Sequence, residues 1–256
     1  MRSPARGRTG VLTAVLSSAV LLTACGGGDD GDPAASSSSA TVSSTAAEED
    51  LPDLASGLLP ADAFGADAAV VAISPQQLSQ AAGLAAGADD LQITPKECSA
   101  AVAGTQPEFD DFDDVAAQAA TIGSAATVEV LVRGGPIEDS VDQLAAAAER
   151  CPTAQITSPD IGQATVTFES LPVDDLGDGS AMLRYTTVVS APDGTQISVP
   201  ALIGAVQDGD RLLILMNLDT GAAGGAGAAT PAPPQDPVAF ADLLALAYEA
   251  QAEALD

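Results

Sequence analysis

Three strand-like runs lie end to end between residues 182 and 218, and they constrain the fold more than any other feature of the chain. Met182 to Ser190, Thr195 to Val206 and Arg211 to Leu218 are separated only by Ala191-Pro192-Asp193-Gly194 and Gln207-Asp208-Gly209-Asp210. Each turn carries a glycine, the residue that takes up the positive φ a hairpin reversal needs. The runs therefore predict an antiparallel meander. Ala164 to Ser170 precedes them as a further strand, and the apolar run Ala68 to Ile73 adds another. Val128, Val130 and Val132 alternate with Glu129, Leu131 and Arg133, the period-two pattern of a strand with one inner face.

Helices are signalled around this strand-rich half. Four prolines stand at a first helical position, preceded by Ser74, Thr94, Gly135 and Asp236, where the missing N–H costs nothing. Ser74-Pro75-Gln76-Gln77 and Thr94-Pro95-Lys96-Glu97 also have capping-box spacing. The third helix places Ile137, Val141, Leu144, Ala148 and Cys151 on one face, and the last carries Phe240, Leu243, Leu244, Ala247 and Tyr248 as a core stripe. Helices early, a meander late and a closing helix predict an α+β fold, a twisted antiparallel sheet of about five to seven strands flanked by helices.

The first residues read as an export signal. Arg2, Arg6 and Arg8 precede a short apolar stretch ending Leu22-Thr23-Ala24-Cys25-Gly26, too short and too abruptly ended to span a bilayer. That order resembles the lipobox of bacterial lipoproteins, which implies a signal peptide over 1–24 and lipidation of Cys25. An ordinary signal peptide with an incidental cysteine, or an uncleaved anchor, is the alternative. Acyl chains contribute about 0.8 kcal/mol per buried methylene, so two or three of them hold a chain with no other membrane segment. Residues 25–50 are rich in Gly, Ser, Thr and acids and read as a disordered tether. Residues 51–256 are expected to form one domain, with a low-complexity flexible loop at 219–235. The expected location is the cell membrane, lipid-anchored and facing the extracellular side.

Assigning Cys25 to lipid leaves Cys98 and Cys151, an even pair in an oxidising compartment. One disulfide is the expectation, and closing its loop of about 50 residues is worth something like 4 kcal/mol on the chain-entropy model. Two buried free thiols, or half of a metal site, are the alternatives. The sequence contains no histidine, which leaves a zinc shell without its usual nitrogen ligands and removes the commonest general base.

Other chemistry is tested by spacing. Lys96, the only lysine, has Ile93 three positions before it rather than the serine of a serine-lysine hydrolase. Paired carboxylates are too numerous among 36 acids to single out a glycosidase pair. Glu108, Asp110, Asp111, Asp113 and Asp114, and separately Asp174, Asp175 and Asp178, have the oxygen ligands calcium takes. The second run has Leu176 at an EF-hand ligand position and Tyr185 where a glutamate belongs, so both runs read as solvated acidic loops. No catalytic residue, metal or cofactor is assigned. The formal charge of −28 repels phosphate backbones and anionic headgroups, which excludes nucleic acid as a partner.

The stretch Ile93-Thr94-Pro95-Lys96-Glu97-Cys98-Ser99-Ala100, the helix end Ala148-Glu149-Arg150-Cys151, the intervening strand Val128 to Arg133 and the closing apolar helix together resemble a known family. It is the PknH-like extracytoplasmic sensor domain of actinobacteria, found on a membrane serine/threonine kinase and in stand-alone lipoproteins. The resemblance spans residues 52–256 and implies a disulfide-stapled antiparallel sheet flanked by helices, with a broad cleft for an unidentified ligand. Two features of the family are missing here: a second cysteine pair, and a tryptophan shortly before the cysteine matching Cys151. The expectation is a non-enzymatic, lipid-anchored, sensor-like or ligand-binding domain whose partner is a small ligand or an envelope protein. A lipid or glycolipid carrier, or a structural envelope protein, is the alternative.

Overall fold

The computed structural model describes residues 51–86, 92–103, 109–158, 162–190, 195–219 and 235–256. They belong to one compact unit, Glu49–Asp256. The signal segment, Cys25, the tether, Glu108, the 191–194 turn and residues 220–234 lie outside the described residues.

Nine strands form one sheet: β1 (Ala69–Ile73), β2 (Gln92–Thr94), β3 (Asp114–Ile122), β4 (Ala125–Arg133), β5 (Thr153–Ser158), β6 (Gly162–Leu171), β7 (Gly179–Ser190), β8 (Gln196–Asp208) and β9 (Arg211–Asp219). Their order is β1-β3-β4-β9-β8-β7-β6-β5-β2, and every neighbouring pair is antiparallel. The predicted meander over β7, β8 and β9 stands, and Gly209 takes φ 59° between β8 and β9. The count of five to seven strands is too low. The additional strands are β2, only three residues long, the polar β5, and β3, whose Val-Ala-Ala-Gln-Ala-Ala core has weak strand propensity. Pairing along all nine residues of β4 is what makes β3 a strand.

Both faces of this sheet are covered. One face buries Leu131, Leu202, Val206, Leu213 and Leu215 against helix Pro237–Leu255 and the 3-10 turns Leu54–Gly57 and Ala61–Phe64. The other buries Val130, Val132, Ile203, Leu212 and Ile214 together with Leu78, Val141 and Leu144 from helices Pro75–Ala86 and Ser140–Arg150. The expectation of one inner face for Val128 to Arg133 is therefore overturned: Glu129, Leu131 and Arg133 are buried along with Val130 and Val132, while Val128 is half-buried. Polar residues at alternate positions imitate a solvent face when specific partners bury them.

Helices are labelled α1 (Pro75–Ala86), α2 (Ser99–Ala103), α3 (Ser140–Arg150) and α4 (Pro237–Leu255). Two of the four predicted starts form as read. Ser74 Oγ accepts from Gln77 N while Gln77 Oε1 accepts from Ser74 N, which is the capping box, and Asp236 Oδ1 accepts from Val238 N and Ala239 N. The other two differ. Thr94 ends β2 opposite Gln155, Pro95 follows a cis bond, and Lys96–Cys98 is a 3-10 turn before α2, so no capping box forms there. Beyond Gly135 the chain turns before α3 begins, because Gly134, Gly135 and Asp139 all have positive φ. At Gly135 an added Cβ would also run into the carbonyl oxygen of Asp111.

Cys98 and Cys151 form a disulfide with their Cα atoms 5.2 Å apart. Cys98 closes the turn before α2, and Cys151 caps α3 where the chain enters β5. Around them Ala154, Ile156, Ala164, Val166 and Phe168 make a separate cluster at the β2 end of the sheet.

The long stripe of α4 continues past Tyr248 to Gln251 and Leu255, and Gln251 is wholly buried with neither amide atom hydrogen-bonded. A buried amide without partners costs about 1–3 kcal/mol. Gln251→Met, which keeps the length of the side chain and removes its polar atoms, is expected to raise the unfolding free energy by about 1–2 kcal/mol. Urea denaturation checks this; an unchanged or lower midpoint would mean the amide is satisfied in solution.

Candidate ligand-binding cleft

Small residues create a concavity with mixed chemistry. It opens on the α4 face, at the end of the sheet where β3 turns into β4, and its volume is about 250 Å³. Phe64 from the second 3-10 turn, Ala120 and Ile122 from β3, and Ala239 and Leu243 from α4 form its apolar walls. Thr127 of β4 and Asn217 of β9, directly opposite each other across the strand pair, supply its polar side. A leucine at Ala120 or Ala239 would fill it, so the alanine-rich composition is what leaves the space. The apolar character continues to the surface, where Ile122 is 46% exposed and Val238, next to Ala239, is 67% exposed.

The polar side is ordered by hydrogen bonds. Asn217 Nδ2 donates to Thr127 Oγ1 at 2.8 Å, and Gln235 Nε2 donates to Asn217 Oδ1 at 2.6 Å and to the Asn217 carbonyl at 3.0 Å. Gln235 stands directly before the N-cap Asp236, so the start of α4 and the end of β9 are tied at the cleft. None of the residues lining it carries a titratable side chain. It offers shape, apolar surface and hydrogen bonding, and no acid or base for proton transfer.

Two residues along β4 from Thr127 on the same face is Glu129, which is fully buried and does not line the cleft. Each of its carboxylate oxygens lies 3.2 Å from Leu59 N, and Gln118 Nε2 donates to Oε2 at 2.7 Å and to the Leu59 carbonyl at 2.8 Å. Gln118 and Glu129 are cross-strand partners. They grip both polar groups of one peptide residue and so fasten the segment carrying the 3-10 turns, including the cleft wall Phe64, to the sheet. Burial pushes the Glu129 carboxyl above its ordinary range, against the opposing pull of the Gln118 and Leu59 hydrogen bonds.

A second buried polar group lies at the far end of β4. Arg133 and Arg211 face each other across β4 and β9. Arg133 donates to the Pro52 carbonyl at 3.1 Å and lies 3.8 Å from Asp114, while Arg211 binds Asp208 at 2.6 Å and also Asp256. Burial works against the Arg211 charge, and the two carboxylates more than restore it. This cluster ties the end of α4 to the β8–β9 turn.

The acidic runs go to turns. Asp110 accepts from Ser79 Oγ at 2.8 Å, Asp114 begins β3, and Asp178 Oδ2 accepts from Gly209 N at 2.8 Å to brace the β8–β9 turn. Among the described residues no three Cys, Asp or Glu side chains are grouped to hold a metal ion, and no helix is long and apolar enough to cross a membrane. Lys96 is exposed. Thr127, Asn217, Gln235, Gln118 and Glu129 were not distinguished by sequence as site residues. The one signal was a glutamate inside an otherwise apolar strand, which the alternation disguised.

No family model and no curated protein matches the chain. Solved structures to which it is similar include an uncharacterized protein from Mycobacterium smegmatis described as an Rv0999 ortholog, at 14% identity and a TM-score of 0.46, covering 78% of this chain and 96% of that one. The extracellular domain of PknH from Mycobacterium tuberculosis is similar at 8% identity and a TM-score of 0.38, covering 72% of this chain and 98% of that one.

Proposed function

We propose that this chain is a non-enzymatic, lipid-anchored, extracytoplasmic domain that binds a small ligand in the cleft between α4 and the β3–β4 end of the sheet. The observation that carries the reading is the cleft itself, apolar walls converging on an ordered pair of polar side chains with no titratable group among them. A few placed polar groups in an apolar concavity are how small-molecule sites fix orientation. The export signal with Cys25 and the Cys98–Cys151 bond support a location outside the cytoplasm, and the PknH-like sequence pattern supports a sensing role. At about 250 Å³ this cleft suits a small ligand better than the chains of a diacyl lipid, which favours the small-ligand reading at this site over the carrier one.

A thermal-shift screen of the full chain against neutral envelope metabolites and cell-wall fragments tests this. At least one compound is expected to raise the melting temperature, and Ala239→Phe, which fills the cleft from a solvent-exposed helix position, is expected to abolish that shift. If nothing shifts while pull-down recovers a stable protein partner, the ligand-binding reading is replaced by a structural one.

A further inference from the structure

The polarity of the hydrogen-bond chain in the cleft follows from one fixed point. Gln235 has an amide atom 3.0 Å from the main-chain carbonyl oxygen of Asn217. A carbonyl only accepts, so that atom is Gln235 Nε2. The same nitrogen donates to Asn217 Oδ1, which leaves Asn217 Nδ2 facing Thr127 Oγ1 as a donor. Thr127 is therefore the acceptor in this contact, which leaves its own proton to donate elsewhere. The cost falls on Gln235 Oε1, buried without a partner. The donors that remain at the polar side of the cleft are the Thr127 hydroxyl and the second N–H of Asn217 Nδ2.

We infer that the cleft takes a neutral, mostly apolar molecule that offers a single hydrogen-bond acceptor, a carbonyl oxygen, to the Thr127 hydroxyl. This rests on reading the cleft as a ligand site. Size follows from the volume: about 250 Å³ equals about eight waters at roughly 30 Å³ each, room for a molecule on the order of ten non-hydrogen atoms. Charge selects further. A carboxylate or phosphate would accept from Thr127, but the formal charge of −28 opposes its approach. An ammonium would be drawn by that charge but would give up its hydration for a lining that carries no carboxylate.

The test uses three probes on one skeleton: butyrophenone, n-butylbenzene without the carbonyl, and anionic 4-phenylbutyrate. Each is titrated into the full chain by ligand-observed NMR. Butyrophenone is expected to bind about five- to tenfold more tightly than n-butylbenzene, the effect of one hydrogen bond, and 4-phenylbutyrate more weakly than the ketone. Thr127→Val should erase the preference for the ketone, Thr127→Ser should restore it, and Ala239→Phe should remove binding of both neutral probes. Equal binding of ketone and hydrocarbon, or a preference that survives Thr127→Val, overturns the inference while binding blocked by Ala239→Phe leaves the cleft reading standing. Failure of both neutral probes to bind, or binding indifferent to Ala239→Phe, overturns the cleft reading and the inference with it.

Discussion

Alanine at both Cys98 and Cys151 is expected to lower the unfolding free energy by about 4 kcal/mol. The two residues are 53 apart in sequence, and releasing a closed loop of that length returns its conformational entropy to the unfolded chain. The effect is concentrated at one end of the sheet. Edge strand β2 is three residues long and pairs only with β5, so little besides the bond and the small cluster of Ala154, Ile156, Ala164, Val166 and Phe168 holds it. Amides of β2 and β5 should exchange with solvent well before those of β8 and β9 in the variant. Guanidinium denaturation of the oxidised chain and the double variant gives the global number, and intact mass after alkylation without reductant checks that no free thiol is present. A difference under about 1 kcal/mol, or two alkylated thiols in the unreduced chain, would remove the bond from the account of stability.

What was legible in the sequence was whatever has a local cause. The β8–β9 turn follows from Gly209, α4 from Asp236, Pro237 and a stripe beginning at Phe240, and α1 from the reciprocal pair Ser74 and Gln77, each within a few residues of its effect. β3 was not legible because its alanines have no preference strong enough to mark a strand until β4 lies beside them. Pro136 signals the start of α3 too early because the three positive φ values that delay it belong to the backbone path, two of them at glycines that are equally at home in a plain loop. The cleft was invisible for a different reason. Phe64, Ala120, Thr127, Asn217 and Ala239 come from four separate stretches of chain, and the space among them is made by side chains that are small, which leaves no periodic trace. The alternation places Glu129 in the wrong environment because it records polarity, and polarity tracks exposure only when no buried partner is supplied.

Glu129→Ala is expected to destabilise the chain by about 3 kcal/mol, since it strands the buried Leu59 N–H and one N–H of Gln118 at about 1–3 kcal/mol each. The pH dependence separates this from simple loss of packing. Burial raises the folded-state pKa of Glu129 above its unfolded value, so the folded chain holds the proton more tightly than the unfolded chain does. Stability from this group is then fully present below the unfolded pKa and is lost as pH rises through the folded one. Its contribution to the slope of unfolding free energy against pH is negative across that window, opposite in sign to that of a carboxylate held by a salt bridge. Glu129→Gln, which keeps the shape and cannot ionise, is expected to flatten that component. Urea titrations from acid to neutral pH on wild type and both variants measure all of this. A Glu129→Gln profile that parallels wild type would show that the carboxyl is not the group whose proton matters, and an alanine variant as stable as wild type would show that the Leu59 segment is held by its apolar contacts alone.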